Sequence, residues 1–129
     1  MWYTFINYLK EKVFSCKMLW QKIARGFSDL EWWNLDSSIC KYVAPRVKYL
    51  REHTTSHPVD LTEDEWNDIL SDIEYWAEYY PNGEFGWTNY ELYQKFCTKY
   101  NYEAKSQEYF DKFNRGRKYF FEHFDDLWD

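Results

Sequence analysis

Residues 61–80 read LTEDEWNDILSDIEYWAEYY, and this stretch decides the fold class. Thr62 and Glu65 stand three apart, the spacing of a capping box. The hydroxyl there accepts one orphan backbone N–H, the carboxylate reaches back for another, and Leu61 and Trp66 clip the incoming chain. Beyond them Trp66, Ile69, Leu70, Ile73, Trp76 and Tyr80 recur at helical spacing with no proline or glycine between. The spacing predicts an amphipathic helix. Glu63, Asp64, Asp68 and Asp72 are expected along its solvated side.

The same start pattern occurs twice more. Ser28 and Glu31 are flanked by Phe27 and Trp32, and Thr88 and Glu91 by Trp87 and Leu92. The first predicts a helix carrying Trp32, Leu35, Ile39, Tyr42, Val43, Arg46 and Leu50. Pro45 lies inside it, lacks an N–H and should kink or split it near Lys41 to Ala44. The second predicts a helix from about Asn89 to Lys99. A helix is expected over about Tyr3 to Ala24, where Phe5, Ile6, Leu9, Val13, Cys16, Leu19, Trp20 and Ile23 share a face and Arg25-Gly26 is a stop. Another is expected over Lys105 to Phe124, with Gly116 weakening its middle. Pro81-Asn82-Gly83 reads as a turn. The expected fold is all-α: about five helices in a single bundle-like or orthogonal domain, residues 1–129, with an aromatic-rich core.

Composition narrows the function. Aromatic residues make up 24% of the 129 positions, more rings than so small a chain can bury completely. Some are therefore expected at a groove or an interface between copies of the chain. Three cysteines and no C-x-x-C argue against a disulfide scaffold and for a reducing compartment. Each thiol is expected to be buried and inert. The N-terminal stretch is broken by lysines, so it reads neither as a signal peptide nor as a membrane span. The net charge of -6 is unevenly spread: residues 1–51 hold nine Lys/Arg against four acids, and residues 52–129 seven against eighteen.

Part of the chain resembles a known group. Gly26-Phe27-Ser28-Asp29, Trp33-Asn34-Leu35-Asp36, Ile39, Pro45-Arg46, Lys48 and Glu52 carry the likeness, with Pro58, Leu61-Thr62-Glu63, Glu65-Trp66 and Ile69-Leu70. In that order they resemble small tailed-bacteriophage proteins, over roughly residues 26–76. The resemblance implies a phage gene acting in the host bacterial cytoplasm. It implies no activity and no site residues.

No catalytic constellation emerges. Ser28 and Thr62 are caps, no cysteine has a histidine near it in sequence, and the four glycines form no phosphate-binding loop. His53 and His57 fall around Pro58 without further ligands, so no metal and no cofactor are expected. A basic and aromatic cluster is the more specific feature. Lys41, Arg46, Lys48 and Arg51 surround Pro45, with Tyr42 and Tyr49 interleaved and Trp32 and Trp33 upstream. Arginine offers a donor fork suited to phosphate, and a ring can stack on a base. Arg46 sits at the border of the apolar face, where an internal pairing with Asp36 or with an acid of the 61–80 helix is the structural alternative. A second group, Arg115, Arg117 and Lys118, is a candidate for the same ligand.

The expected function is a phage-encoded, non-enzymatic protein that binds and sequesters a host molecule, a nucleotide-type immune signal, to evade antiviral defence. Its ligand-binding residues would be Arg46, Lys48, Tyr42, Trp33 and Arg51. The expected partners are a small anionic ligand or a host protein, and further copies of the chain. No membrane and no direct nucleic-acid binding are expected. The rival is an acidic protein–protein inhibitor or DNA mimic acting through the 61–80 helix against a host nucleic-acid enzyme. A structural role in the virion is the third reading.

Overall fold

Thr62 caps its helix as its sequence requires. Its Oγ accepts the Glu65 N–H at 3.2 Å, and its own N–H donates to the Glu65 carboxylate at 2.8 Å. The computed structural model describes residues 1–82 and 89–129. The described residues form six helices: α1 (Trp2–Arg25), α2 (Asp29–Trp33), α3 (Leu35–His53), α4 (Glu63–Tyr79), α5 (Tyr90–Lys99) and α6 (Gln107–Glu122). Single 3-10 turns follow α4 at Tyr80–Asn82 and α6 at Phe124–Asp126. The fold is all-α, with no strand among the described residues.

The extra helix comes from a break at Asn34, whose ψ of 59° ends α2. Its carbonyl then accepts the Ser38 N–H at 2.9 Å, so the residue that closes α2 opens α3. The break expected at Lys41–Ala44 does not occur there. α3 runs through Pro45, which lies inside it. A proline costs a helix one hydrogen bond, and α3 is long enough on both sides to carry that loss.

Two compact units are present, residues 1–38 and 39–129. In the first, Gly26 ends α1 in the left-handed conformation (φ 90°) and its N–H returns to the Lys22 carbonyl at 2.9 Å. α2 is held to α1 by Asp29. The Gln21 amide donates to Asp29 Oδ2 at 2.7 Å, and the Asp29 N–H donates to Gln21 Oε1 at 2.9 Å. The Trp32 indole and the Arg25 guanidinium both donate to Asp29 Oδ1. These bonds, the indole's first, hold the Asp29 carboxyl far below the usual aspartate range. The Ser28 N–H donates to the Glu31 carboxylate, the reach-back half of the expected box.

In the second unit the core forms where α4 crosses α6. Trp66, Leu70, Ile73, Trp76 and Ala77 of α4 are buried, as are Phe110, Phe113 and Phe120 of α6. Val47 and Cys40 of α3, and Tyr93 and Cys97 of α5, complete it. Gly116 does not merely weaken α6. It is buried at the crossing, and a Cβ there would stand 1.9 Å from the Asp72 carbonyl oxygen and 2.8 Å from Trp76 Cβ. The missing side chain is what lets the two backbones touch.

Asp72 departs from the expected solvated row. It is buried and paired with Arg115 at 3.1 Å and Lys112 at 3.8 Å. The row drifts because helical positions four apart advance slightly more than one turn, and by Asp72 it has reached the α6 side. Glu63, Asp64 and Asp68 remain exposed.

Asn89 caps α5, its Oδ1 accepting the Leu92 N–H at 3.1 Å. The expected Thr88–Glu91 box involves Thr88 and Trp87, and the expected turn includes Gly83; all three lie outside the described residues. α5 ends in a Schellman turn: Asn101 adopts φ 58° and the Tyr102 N–H returns to the Cys97 carbonyl at 2.8 Å. Of the cysteines, Cys40 and Cys97 are buried as expected, but Cys16 is exposed.

Candidate functional site

The site is a groove of about 1100 Å³ between α3 and the end of the chain after α6. Residues of α3 at three- and four-residue steps, Ile39, Tyr42, Arg46 and Tyr49, fall on one side of that helix and line it. Phe120, Phe124 and Leu127 form the opposite wall. The lining is apolar apart from the Arg46 guanidinium and the tyrosine hydroxyls, the mixture expected of a ligand site in which a few polar groups fix orientation.

Arg46 is held over Tyr42. Its guanidinium carbon lies 3.6 Å from the Tyr42 ring centroid, and Nη1 donates to the Tyr42 carbonyl at 2.9 Å. A guanidinium has five N–H donors, so most of the fork points away from this bond. Among the described residues no carboxylate lies within ion-pairing distance of Arg46, so the internal pairing weighed for it is not made. One turn on, the Tyr49 ring stacks on His53 at 3.9 Å, and the His53 ring nitrogen meets the Tyr49 carbonyl at 2.8 Å. The exposed row therefore alternates ring, cation, ring and imidazole.

Of the five residues expected to bind ligand, two line the groove. Tyr42 and Arg46 come together in the groove wall. Lys48 is exposed on α3 but turned about 200° from Arg46, at ~100° per residue, and does not line the groove. Arg51 is engaged elsewhere: its Nε donates to Glu74 at 2.8 Å, tying α3 to α4. Trp33 ends α2 in the other unit, edge-on to Trp32 at 5.7 Å. The second basic group is similarly occupied. Arg115 pairs with Asp72, Arg117 donates to Asn114, and Lys118 meets Glu122 at 3.6 Å.

Tyr49, interleaved with the basic residues in the sequence, lines the groove, whereas Phe124 and Leu127 are not part of the expected site. The four-three spacing of Tyr42, Arg46 and Tyr49 is what puts the three on one side of α3. Phe124 and Leu127 lie beyond the last helix, where the helical period stops. The tail is fixed by Asp129, whose Oδ1 accepts from the Thr54 and Ser56 hydroxyls and the Thr55 N–H. Those bonds, the Thr55 backbone's first, hold the Asp129 carboxyl below its ordinary value.

The groove suits recognition by stacking and by charge-assisted hydrogen bonds. Among the described residues no three His, Cys, Asp or Glu side chains gather as a metal site would require. Comparisons with family models, curated proteins and solved structures return no match to this chain.

Proposed function

We propose that this chain is a phage-encoded, non-enzymatic binding protein that sequesters a nucleotide-type host signal in the α3 groove. The observation that carries the reading is Arg46: a guanidinium stacked on Tyr42, without a carboxylate partner among the described residues, at the wall of an apolar groove of nucleotide-holding size. The base would lie against Tyr42 or Tyr49, and the phosphate would take the open donors of Arg46. One guanidinium favours a singly placed phosphate over a long polyphosphate. The phage setting and the evasion of host defence rest on the resemblance over residues 26–76. The host cytoplasm as its location, and further copies of the chain as partners, belong to the same proposal.

The acidic-inhibitor reading is less well supported. Asp72 and Glu74 of α4 are already paired with α6 and α3, which leaves a shorter acidic surface at Glu63, Asp64 and Asp68. A thermal-shift screen of mono-, di- and cyclic nucleotides separates the two readings. The groove reading expects a stabilising nucleotide whose effect disappears in Arg46→Ala. Absence of any shift across the panel, with capture of a host protein lost on neutralising Glu63, Asp64 and Asp68, refutes it.

A further inference from the structure

Within its own unit, residues 1–38, the apolar face of α1 is left uncovered. Val13 and Trp20 are each 68% exposed, and Phe5, Ile6, Leu9, Leu19 and Ile23 are exposed with them. Within its own unit, α1 is engaged by α2 through Gln21, and its two buried residues, Met18 and Gln21, lie on the other side of the helix. The expected core face of this helix is thus its open face.

We propose that α1 lies on an anionic lipid surface, attaching the protein to it peripherally. Three features select lipid over a second helix. The stripe spans about 140°, from Leu19 round to Ile6 at ~100° per residue, wider than the narrow seam of a coiled coil. It is rich in rings, with Trp2, Phe5 and Trp20 on it, the residues that settle at a lipid–water boundary. Lysines stand at both margins: Lys12 just inside the Leu19 edge, Lys17 and Lys10 just outside the Ile6 edge, while Glu11, the single acid of α1, lies on the far side. Two copies packed stripe to stripe would bring those lysines together. An anionic headgroup layer satisfies them on both edges while their stems lie along the acyl boundary. No helix among the described residues is long and apolar enough to cross a membrane, so α1 lies on the surface. The N-terminal stretch fails as a span because lysines break it, whereas a helix lying on a surface needs only one face that its own unit leaves open.

The test is flotation of the full chain with vesicles of phosphatidylglycerol and phosphatidylcholine, and with phosphatidylcholine alone. A polarity-sensitive dye on Cys16 reports insertion, since Cys40 and Cys97 are buried. Flotation with the anionic vesicles, weakening as salt rises, with a blue-shifted dye, is the expected result. Replacing Lys10, Lys12 and Lys17 by Gln weakens partitioning roughly 100-fold, about fivefold per lysine. Trp20→Ser weakens it with the salt dependence retained, and far-UV dichroism verifies that both variants fold. No flotation, equal flotation with neutral vesicles, or a solution dimer that shields Cys16 and ignores vesicles overturns the proposal. Arg46→Ala floats as the wild type does, which keeps this test independent of the groove.

Discussion

Gly116→Ala is the most informative single substitution. On an open helix face the change would stabilise by ~1 kcal/mol, because alanine loses less backbone freedom on folding. Here the added Cβ would meet the Asp72 carbonyl oxygen at 1.9 Å and its carbon at 2.6 Å, where real Cβ contacts keep at least 3.0 Å. Backbone cannot swing aside as a flexible side chain can. α4 and α6 would have to part by about 1 Å, and gaps of that size forfeit a quarter to a half of each dispersion contact they open. The contacts at stake include Trp76 against Phe120, ring centroids 5.2 Å apart, in the core that Ile73, Ala77 and Phe113 share. Overpacking of this kind costs ~3 kcal/mol or more, which outweighs the propensity gain. A net loss of about 2 kcal/mol lowers the Tm of a unit the size of residues 39–129 by roughly 8–16 °C. Urea and thermal unfolding followed by far-UV dichroism measure it, with Lys118→Ala, an exposed change on the same helix, as the control. A Gly116→Ala protein as stable as wild type would refute the close crossing.

Other consequences follow from individual residues. Arg51→Ala removes the half-buried partner of Glu74 and costs about 1–2 kcal/mol in chemical denaturation, while nucleotide binding, if confined to the groove, is unaffected. Asp29 has a depressed folded-state pKa, so its bonds contribute stability above the unfolded aspartate value of about 3.9 and lose it as pH falls below that value. An NMR titration should show the Trp32 indole N–H signal holding its position at neutral pH and moving only in strong acid. Trp76 has a buried indole N–H without an acceptor among the described residues. Trp76→Phe should therefore cost much less than the ~3–5 kcal/mol of Trp76→Ala, and similar losses for the two would contradict the packing described.

Much of the fold was legible because its determinants are local. Thr62 with Glu65, and Arg25 with Gly26, act within one or two turns, so their sequence spacing states their geometry. The break at Asn34 is hidden in the sequence because the apolar period runs through it, and Pro45 is the stronger local break signal. Gly116 was read by propensity alone, since the backbone it touches is far away in sequence. The candidate site was half legible for the same reason. Tyr42 and Arg46 sit one turn apart and stack. Arg51 shares their helix, but Glu74 of α4 claims it, and no spacing within residues 41–51 reveals that. The wall contributed by Phe124 and Leu127 depends on a tail held by Asp129, a contact across more than seventy residues of chain. Periodicity identified the apolar face of α1, yet it cannot tell a buried face from an uncovered one.

The central claim is that Arg46 holds the anionic part of a ligand in the groove beside Tyr42. Calorimetric titration of wild type and Arg46→Ala with the nucleotide that stabilises best in the screen tests it most directly. Charge-assisted hydrogen bonds to one guanidinium contribute roughly 1.5–3 kcal/mol, so Arg46→Ala should weaken binding about 10- to 100-fold with unfolding stability unchanged. Equal affinity in the two proteins, or a loss matched by Lys48→Ala on the far side of α3, would contradict the account.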